Sequence, residues 1–293
     1  MNTSKCQVLL RAVELGNLTR TAEELGYTQS AVSRTIASLE REWGVPLLVR
    51  GREGAALTSQ GEALLPQIRA LCAAEERLEE QVAALHGLTQ GKLRVGAFNS
   101  VSIHWLPGIM KEFLARYPGI RFELVCKWEF AEVEDLIRRG EVDCGFLGIP
   151  AGPGLDVISL FQDQFLVALP PDHPLAGAPY YPSARFQEDP YIAIPEDRDW
   201  EIKSIFQEEG LHPNLQYTVN DDLAILAMVE QGLGVSIRAE LVLRDSGRRF
   251  AAIPLERPQF RHIGLALPKG AERSPLIERF VECVEEWLRD SFS

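Results

Sequence analysis

The stretch from Leu18 to Thr58 constrains this chain most, because its apolar residues and glycines admit little except a short helix, a tight turn, a second helix and a hairpin. Leu18, Ala22 and Leu25 recur at the four-then-three spacing of a buried helix face, which predicts a helix over Thr19 to Leu25. Gly26 supplies the left-handed backbone of a helix stop, and Thr28 is a good N-cap for the next helix. In that second helix Val32, Ile36, Leu39 and Trp43 form one stripe, leaving Gln29, Ser30, Ser33, Arg34 and Ala37 on the opposite side. These outward groups suit base edges and phosphates in a major groove, and they equally suit water. The residues beyond this helix decide for the groove. Leu47 to Arg50 and Ala55 to Thr58 flank the turn Gly51-Arg52-Glu53-Gly54, a small hairpin carrying two arginines. The expected unit is a winged helix-turn-helix over residues 1–58 with double-stranded DNA as partner and Gln29, Ser30, Ser33, Arg34, Arg50 and Arg52 as contacts.

A polar-faced helical pattern continues over residues 59–90, opened by Ser59 and Glu62 at capping-box spacing. Leu64, Ile68, Leu71, Leu78, Val82 and Leu85 form an apolar seam that only Glu75 interrupts, with Pro66 expected to bend the helix near its start. A helix of roughly 28 residues is about 40 Å long, too long to lie wholly on a small domain. Its seam is expected to meet that of a second copy, the alternative being that it packs on its own chain.

From Gly91 onward the grammar changes to alternating strands and helices. Leu93 to Ala97, Ile120 to Cys126 and Val142 to Leu147 read as strands, and Ile103 to Tyr117 and Ala131 to Arg139 as helices. After the break at Pro150 to Gly154 come strands at Phe165 to Leu169, Tyr191 to Ile194, Gln216 to Val219 and Gly234 to Ile237, with helices at Trp200 to Glu209 and Asp221 to Gln231. This order predicts parallel sheet with crossover helices in two α/β lobes over residues 91–293. Paired lobes of this kind hold small molecules in the crevice at the carboxyl ends of their strands. The candidates there are Asn99, Ser100, Val101 and Ser102 at a helix start, Trp128 and Glu129, Ile149, Glu196, and Asn220 beside Asp221. Either serine could instead simply cap the helix. Glu129, Glu196 and Asp221 disfavour a polyanion, so a neutral, zwitterionic or amine-bearing effector is expected.

Charge and composition narrow the function classes. The net charge is −12, but residues 1–90 hold nine Lys/Arg and eleven Asp/Glu, a balance of −2, and the remainder carries −10. A nearly neutral DNA reader binds DNA weakly in general and must rely on a local face and on pairing two copies. No apolar run could span a bilayer, and Met1 to Lys5 lack signal-peptide features, so a cytoplasmic protein without membrane partners is expected. Cys6, Cys72, Cys126, Cys144 and Cys283 form neither a zinc pattern nor a redox pair, and buried free thiols are expected. His86, His104, His173, His212 and His262 include no metal-ligand pair, and neither a nucleophile elbow nor a phosphate-binding loop occurs. No catalytic residue, metal or cofactor is assigned.

At these residues the chain resembles the LysR-type transcriptional regulators of bacteria. The resemblance rests on Ala22, Leu25, Gln29-Ser30-Ala31-Val32-Ser33, Ile36, Leu39-Glu40, Gly44, Leu47, Arg50, Leu57-Thr58 and Gly61. It continues at Leu106-Pro107, Phe113, Tyr117-Pro118, Gly140, Val142-Asp143, His173-Pro174-Leu175-Ala176, Gly232 and Gly234-Val235. Thr21 departs from a usual alanine, Leu48 from a usual phenylalanine and Ala239 from a frequent proline. The resemblance implies a dimerising linker helix and an α/β, periplasmic-binding-protein-like effector domain, with lobe I at 91–162 and 265–293 and lobe II at 163–264. It also implies homo-oligomers, tetramers built from two dimers, whose DNA bending changes when the effector binds. Some members respond through a cysteine pair in the second lobe, but none of the five cysteines lies between Gln162 and Gly264. The alternatives are a thiol-redox regulator of the same fold, a solute-binding protein or a two-lobed enzyme, and the last two leave the first 90 residues unexplained.

Overall fold

Asn17 opens the helix-turn-helix with a cap that the sequence pattern left unassigned: its Oδ1 accepts the backbone N–H of Thr19 at 2.8 Å. In the computed structural model, which describes residues 3–51, 54–85, 90–195, 200–270 and 272–292, three helices precede the hairpin. They are α1 (Thr3–Leu15), α2 (Leu18–Leu25) and α3 (Gln29–Trp43). Gly26 ends α2 at φ 69°, and the Thr28 hydroxyl caps α3 by accepting the N–H of Ala31 at 3.2 Å. The core side of α2 is Leu18, Thr21 and Ala22, while Leu25, expected there, lies at the rim and is exposed. Thr21 is fully buried because its hydroxyl donates to the Asn17 carbonyl at 2.8 Å. The hairpin pairs β1 (Leu48–Gly51) with β2 (Gly54–Leu57) in antiparallel register, Leu48 opposite Leu57 and Gly51 opposite Gly54.

The linker helix α4 spans Ser59–Leu85 with Pro66 inside it. Thr58, one residue before the expected cap, starts it, its Oγ1 accepting the N–H of Gly61 at 2.9 Å. A Cβ at Gly61 would collide with the Leu47 carbonyl, so glycine lets the helix approach the hairpin. The seam is not one surface. Ile68 and Cys72 are buried in the core of α1 to α3, and Leu64 and Leu71 are half-buried against it. Leu78 and Val82, by contrast, are 61% and 50% exposed. The intermolecular assignment is therefore corrected for Ile68, and narrowed for Leu64 and Leu71, because the first turns of α4 satisfy a core already present in the same chain. The Leu85 side chain lies outside the described residues. Arg69 of α4 meets Glu141 of the following domain at 2.9 Å.

The first lobe runs through β3 (Gly91–Phe98), α5 (Asn99–His104), α6 (Leu106–Arg116), β4 (Ile120–Lys127), α7 (Phe130–Arg138) and β5 (Cys144–Ile149). The helix expected over 103–117 is two, broken at the fully buried Trp105. A strand of fifteen residues, β6 (Leu155–Leu169), then leaves this lobe for the second. Beyond it lie β7 (Tyr191–Ala193), α8 (Trp200–Glu208), β8 (Leu215–Thr218), α9 (Asp222–Glu230), β9 (Ser236–Ala239), α10 (Glu240–Leu243) and β10 (Ala251–Pro254). The chain returns through β11 (Phe260–Pro268) and ends in α11 (Pro275–Ser291).

The sheets are mixed, so the parallel pairing expected from strand-helix alternation holds for only part of them. β3 pairs with β4 and β5 in parallel, but β11 is antiparallel to β5 and β6, and β9 and β10 are antiparallel to β6. β6 pairs with β11 over residues 155–164 and with β9 and β10 over 165–169, so one strand belongs to both lobes. Separate cores form on either side, around Val95, Phe113, Phe146 and Phe280 in the first lobe and Val167, Tyr181, Phe186 and Ile237 in the second.

Candidate functional site

The outward side of α3 emerges as its period dictates. Val32, Ile36 and Leu39 are buried, Gln29, Ser30 and Arg34 are exposed, and Ser33 is half-buried. The Arg34 Nε donates to the Ser30 carbonyl at 3.3 Å, holding the guanidinium along the helix. Arg50 lies on β1 with its side chain outside the described residues, and Arg52 is outside them altogether. Two contributions escaped the sequence pattern: the exposed Tyr27 at the turn, and Glu40, whose Oε1 accepts the N–H groups of Leu47 and Leu48 at the hairpin.

Between the lobes lies a cleft of about 240 Å³. Asn99 and Ser100 reach it from the start of α5, Trp128 and Glu129 from the β4–α7 junction, Arg238 from β9, Arg261 from β11, Glu201 and Ile202 from α8, and Asp222 from α9. Four expected residues, Asn99, Ser100, Trp128 and Glu129, thus meet on one wall. Val101 is corrected: it faces inward and is fully buried in the first-lobe core. Ser102 turns back on its own helix, its hydroxyl donating to the Phe98 carbonyl at 3.0 Å, and does not line the cleft. Ile149 sits opposite His262 in the β5–β11 ladder, away from the cleft. Asn220 is exposed and off the wall, while Asp221 caps α9 through the Ala224 N–H at 2.8 Å. Glu196 lies outside the described residues.

The sequence pattern missed the charges that dominate the cleft floor. Arg238 and Arg261 are only 3% and 8% exposed. Arg238 Nε stands 3.3 Å from Asp222 Oδ1, and its Nη1 donates to the Ile237 carbonyl at 2.7 Å. Arg261 Nε donates to Asp163 Oδ2 at 2.8 Å, its Nη2 reaches Ser100 Oγ at 3.0 Å, and its guanidinium lies 5.2 Å from the centre of the Phe98 ring. Buried cations need such partners, because an unpaired charge away from water is costly. The signal was a lone charge inside an otherwise uncharged strand, as in Ser236-Ile237-Arg238-Ala239.

Of the thiols, Cys126 is exposed, against the expectation of burial, and the other four are buried. Burial pushes the Cys6, Cys144 and Cys283 thiols up, keeping them protonated and unreactive. No described helix is long and apolar enough to cross a membrane.

Both parts of the chain have counterparts among known proteins. Residues 4–62 match the family model described as bacterial regulatory helix-turn-helix protein, lysR family, and residues 86–289 match the LysR substrate binding domain. A probable HTH-type transcriptional regulator, LrrA of Synechococcus elongatus, is 31% identical over 287 residues, spanning 98% of this chain and 97% of the relative. Among solved structures, a full-length OxyR variant from Pseudomonas aeruginosa superposes with a TM-score of 0.79 at 21% identity, covering 99% of this chain and 95% of that one. CbnR complexed with its target DNA superposes at 0.67 with 24% identity, covering 98% and 100%.

Proposed function

We propose that this chain, which belongs to the LysR family of transcriptional regulators, changes its hold on DNA when a small carboxylate-bearing molecule enters the cleft between its lobes. As a family member it is a DNA-binding regulator with an effector-binding domain, not an enzyme. The observation that carries the ligand class is the pair of buried arginines, Arg238 and Arg261, beside Asn99 and Ser100. Their guanidinium forks match a carboxylate, with Asn99 and Ser100 supplying further donors. Glu129 and Glu201, also lining the cleft, suit a hydroxyl or an ammonium, and Trp128, Ile202 and Val242 offer apolar surface for the body of the molecule. A zwitterion or hydroxylated monocarboxylate fits this distribution, whereas an amine alone engages neither guanidinium.

Two copies, joined along Leu78 and Val82 of α4, would present Gln29, Ser30 and Ser33 to successive major grooves about 34 Å apart on a two-fold-related site, with Arg34, Arg50 and Arg52 at phosphates. The structural neighbour CbnR, crystallised on its target DNA, supports DNA as the partner, and the family context supports a cytoplasmic oligomer. Thermal-shift screening of the full-length protein against amino and hydroxy monocarboxylates should give a stabilising compound whose effect Arg238→Ala abolishes. Stabilisation by cationic or uncharged compounds only would overturn the carboxylate assignment.

A further inference from the structure

The two strands that cross between the lobes carry one buried ion pair. Asp163 on β6 and Arg261 on β11 are cross-strand partners, 1% and 8% exposed, with Nε and Oδ2 2.8 Å apart. Their bonds do not stop at each other. Arg261 Nη2 reaches Ser100 Oγ at 3.0 Å, at the start of α5 in the first lobe. Asp163 Oδ1 accepts the N–H of Leu241 at 3.0 Å, in α10, which follows β9 of the second lobe directly while Leu241 itself is buried in the first-lobe core. An unbroken chain, Ser100 to Arg261 to Asp163 to Leu241, therefore spans the crossing. Arg261 also lines the cleft, and its Nη1 has no hydrogen-bond partner among the described residues.

We propose that this chain of bonds couples the two lobes, with Arg261 as the positioning residue through which a ligand in the cleft is felt at α10. The ligand step rests on the cleft being the effector site; the lobe coupling does not. The links differ in strength, and that sets which one yields. Separating Asp163 from Arg261 would leave a buried unpaired charge, whereas the Ser100 hydroxyl is a neutral acceptor that an incoming carboxylate outcompetes. The ion pair is the fixed pivot and the Ser100 contact is the part that lets go. A ligand acts on a two-state element only through different affinity for its states, and taking the guanidinium from Ser100 supplies that difference.

Native-state hydrogen exchange of the full-length, ligand-free protein tests the coupling. Asp163→Asn keeps an acceptor for Leu241 but removes the charge, and should speed exchange about tenfold or more in both α5 and α10 while sparing the α6 and α9 cores. Ser100→Ala forms the second arm: it should speed exchange roughly threefold at residues 241–243, in the helix that packs against α5, and Ser100→Thr, which keeps the hydroxyl, should restore the protection. Arg261→Lys, which keeps the charge, should restore most of the protection lost in Arg261→Met. Changes confined to α5 in Ser100→Ala, or a uniform acceleration over both lobes in which lysine is no better than methionine, would overturn the proposal. A parent protein that binds no carboxylate, with the exchange coupling intact, would instead remove the effector class alone.

Discussion

Glu40 holds the backbone of Leu47: its Oε1 accepts that N–H at 2.8 Å, and the neighbouring N–H of Leu48 at 3.1 Å. One carboxylate on α3 thus fixes where the hairpin leaves the helix. Glu40→Ala should strand both donors and cost the amino-terminal domain about 2 kcal/mol, with Glu40→Gln recovering part of it. Native-state hydrogen exchange of the α1 to α3 amides measures this, and loss of operator affinity should accompany it although none of the proposed DNA contacts has changed. A variant as stable as the parent would show that the two bonds are replaced by water at no cost.

Base reading and phosphate contact should separate by salt. Gln29→Ala or Ser33→Ala should cost on the order of 1 to 3 kcal/mol of discrimination at particular operator bases while leaving the fold intact. Arg34→Ala should instead weaken binding to every sequence and reduce the slope of log K against log salt by about one. Binding titrations on operator and scrambled duplexes at several salt concentrations distinguish the two, and an unchanged slope would remove Arg34 from the phosphate set.

The two halves of α4 should answer differently to substitution. Leu78→Glu with Val82→Glu alters exposed positions, so each chain should fold while the oligomer separates in sedimentation analysis. Ile68→Ala should do the reverse, destabilising the amino-terminal domain by roughly 2 to 4 kcal/mol with the oligomer retained at low temperature. A Leu78 and Val82 double variant that sediments as the parent would place the contact between copies elsewhere.

In the cleft, the two serines of α5 should part company. Ser100→Ala removes a hydroxyl that donates to the bound carboxylate, a loss that outweighs the Arg261 contact the ligand no longer has to displace, and should weaken effector binding roughly tenfold, the scale of a hydrogen bond to a charged partner. Ser102→Ala removes only a bond to the Phe98 carbonyl and should leave the affinity within about twofold. Calorimetric titration of both variants decides, and equal losses would mean that α5 moves as a unit.

Periodicity made the amino-terminal elements legible: the stripe of Val32, Ile36 and Leu39 and the stop at Gly26 are local signals, α2 stands within a residue of its expected bounds, and α3 starts just after its expected cap, Thr28. Cleft membership was only half legible. Asn99, Ser100, Trp128 and Glu129 lie just past strand ends, which sequence order marks. Arg238 and Arg261 sit inside strands, and Arg261 finds its partner 98 residues away, a pairing that no local window contains. The first part of β6 and all of β11 were hidden for a related reason. Their ladders are antiparallel and non-local, whereas the expectation rested on strand-helix alternation. The seam of α4 misled because a heptad-like stripe states that a face is apolar without naming what covers it.

The burial of Ile68 and Cys72 beneath α1 to α3 means that the DNA reader has no clean cut at Thr58. A fragment ending there would open a hole where two side chains had been, so the smallest portable unit runs on through the first half of α4. Chimaeras that graft this reader onto another sensor must carry those turns with it. Whatever is joined afterwards then inherits the direction in which the helix already points.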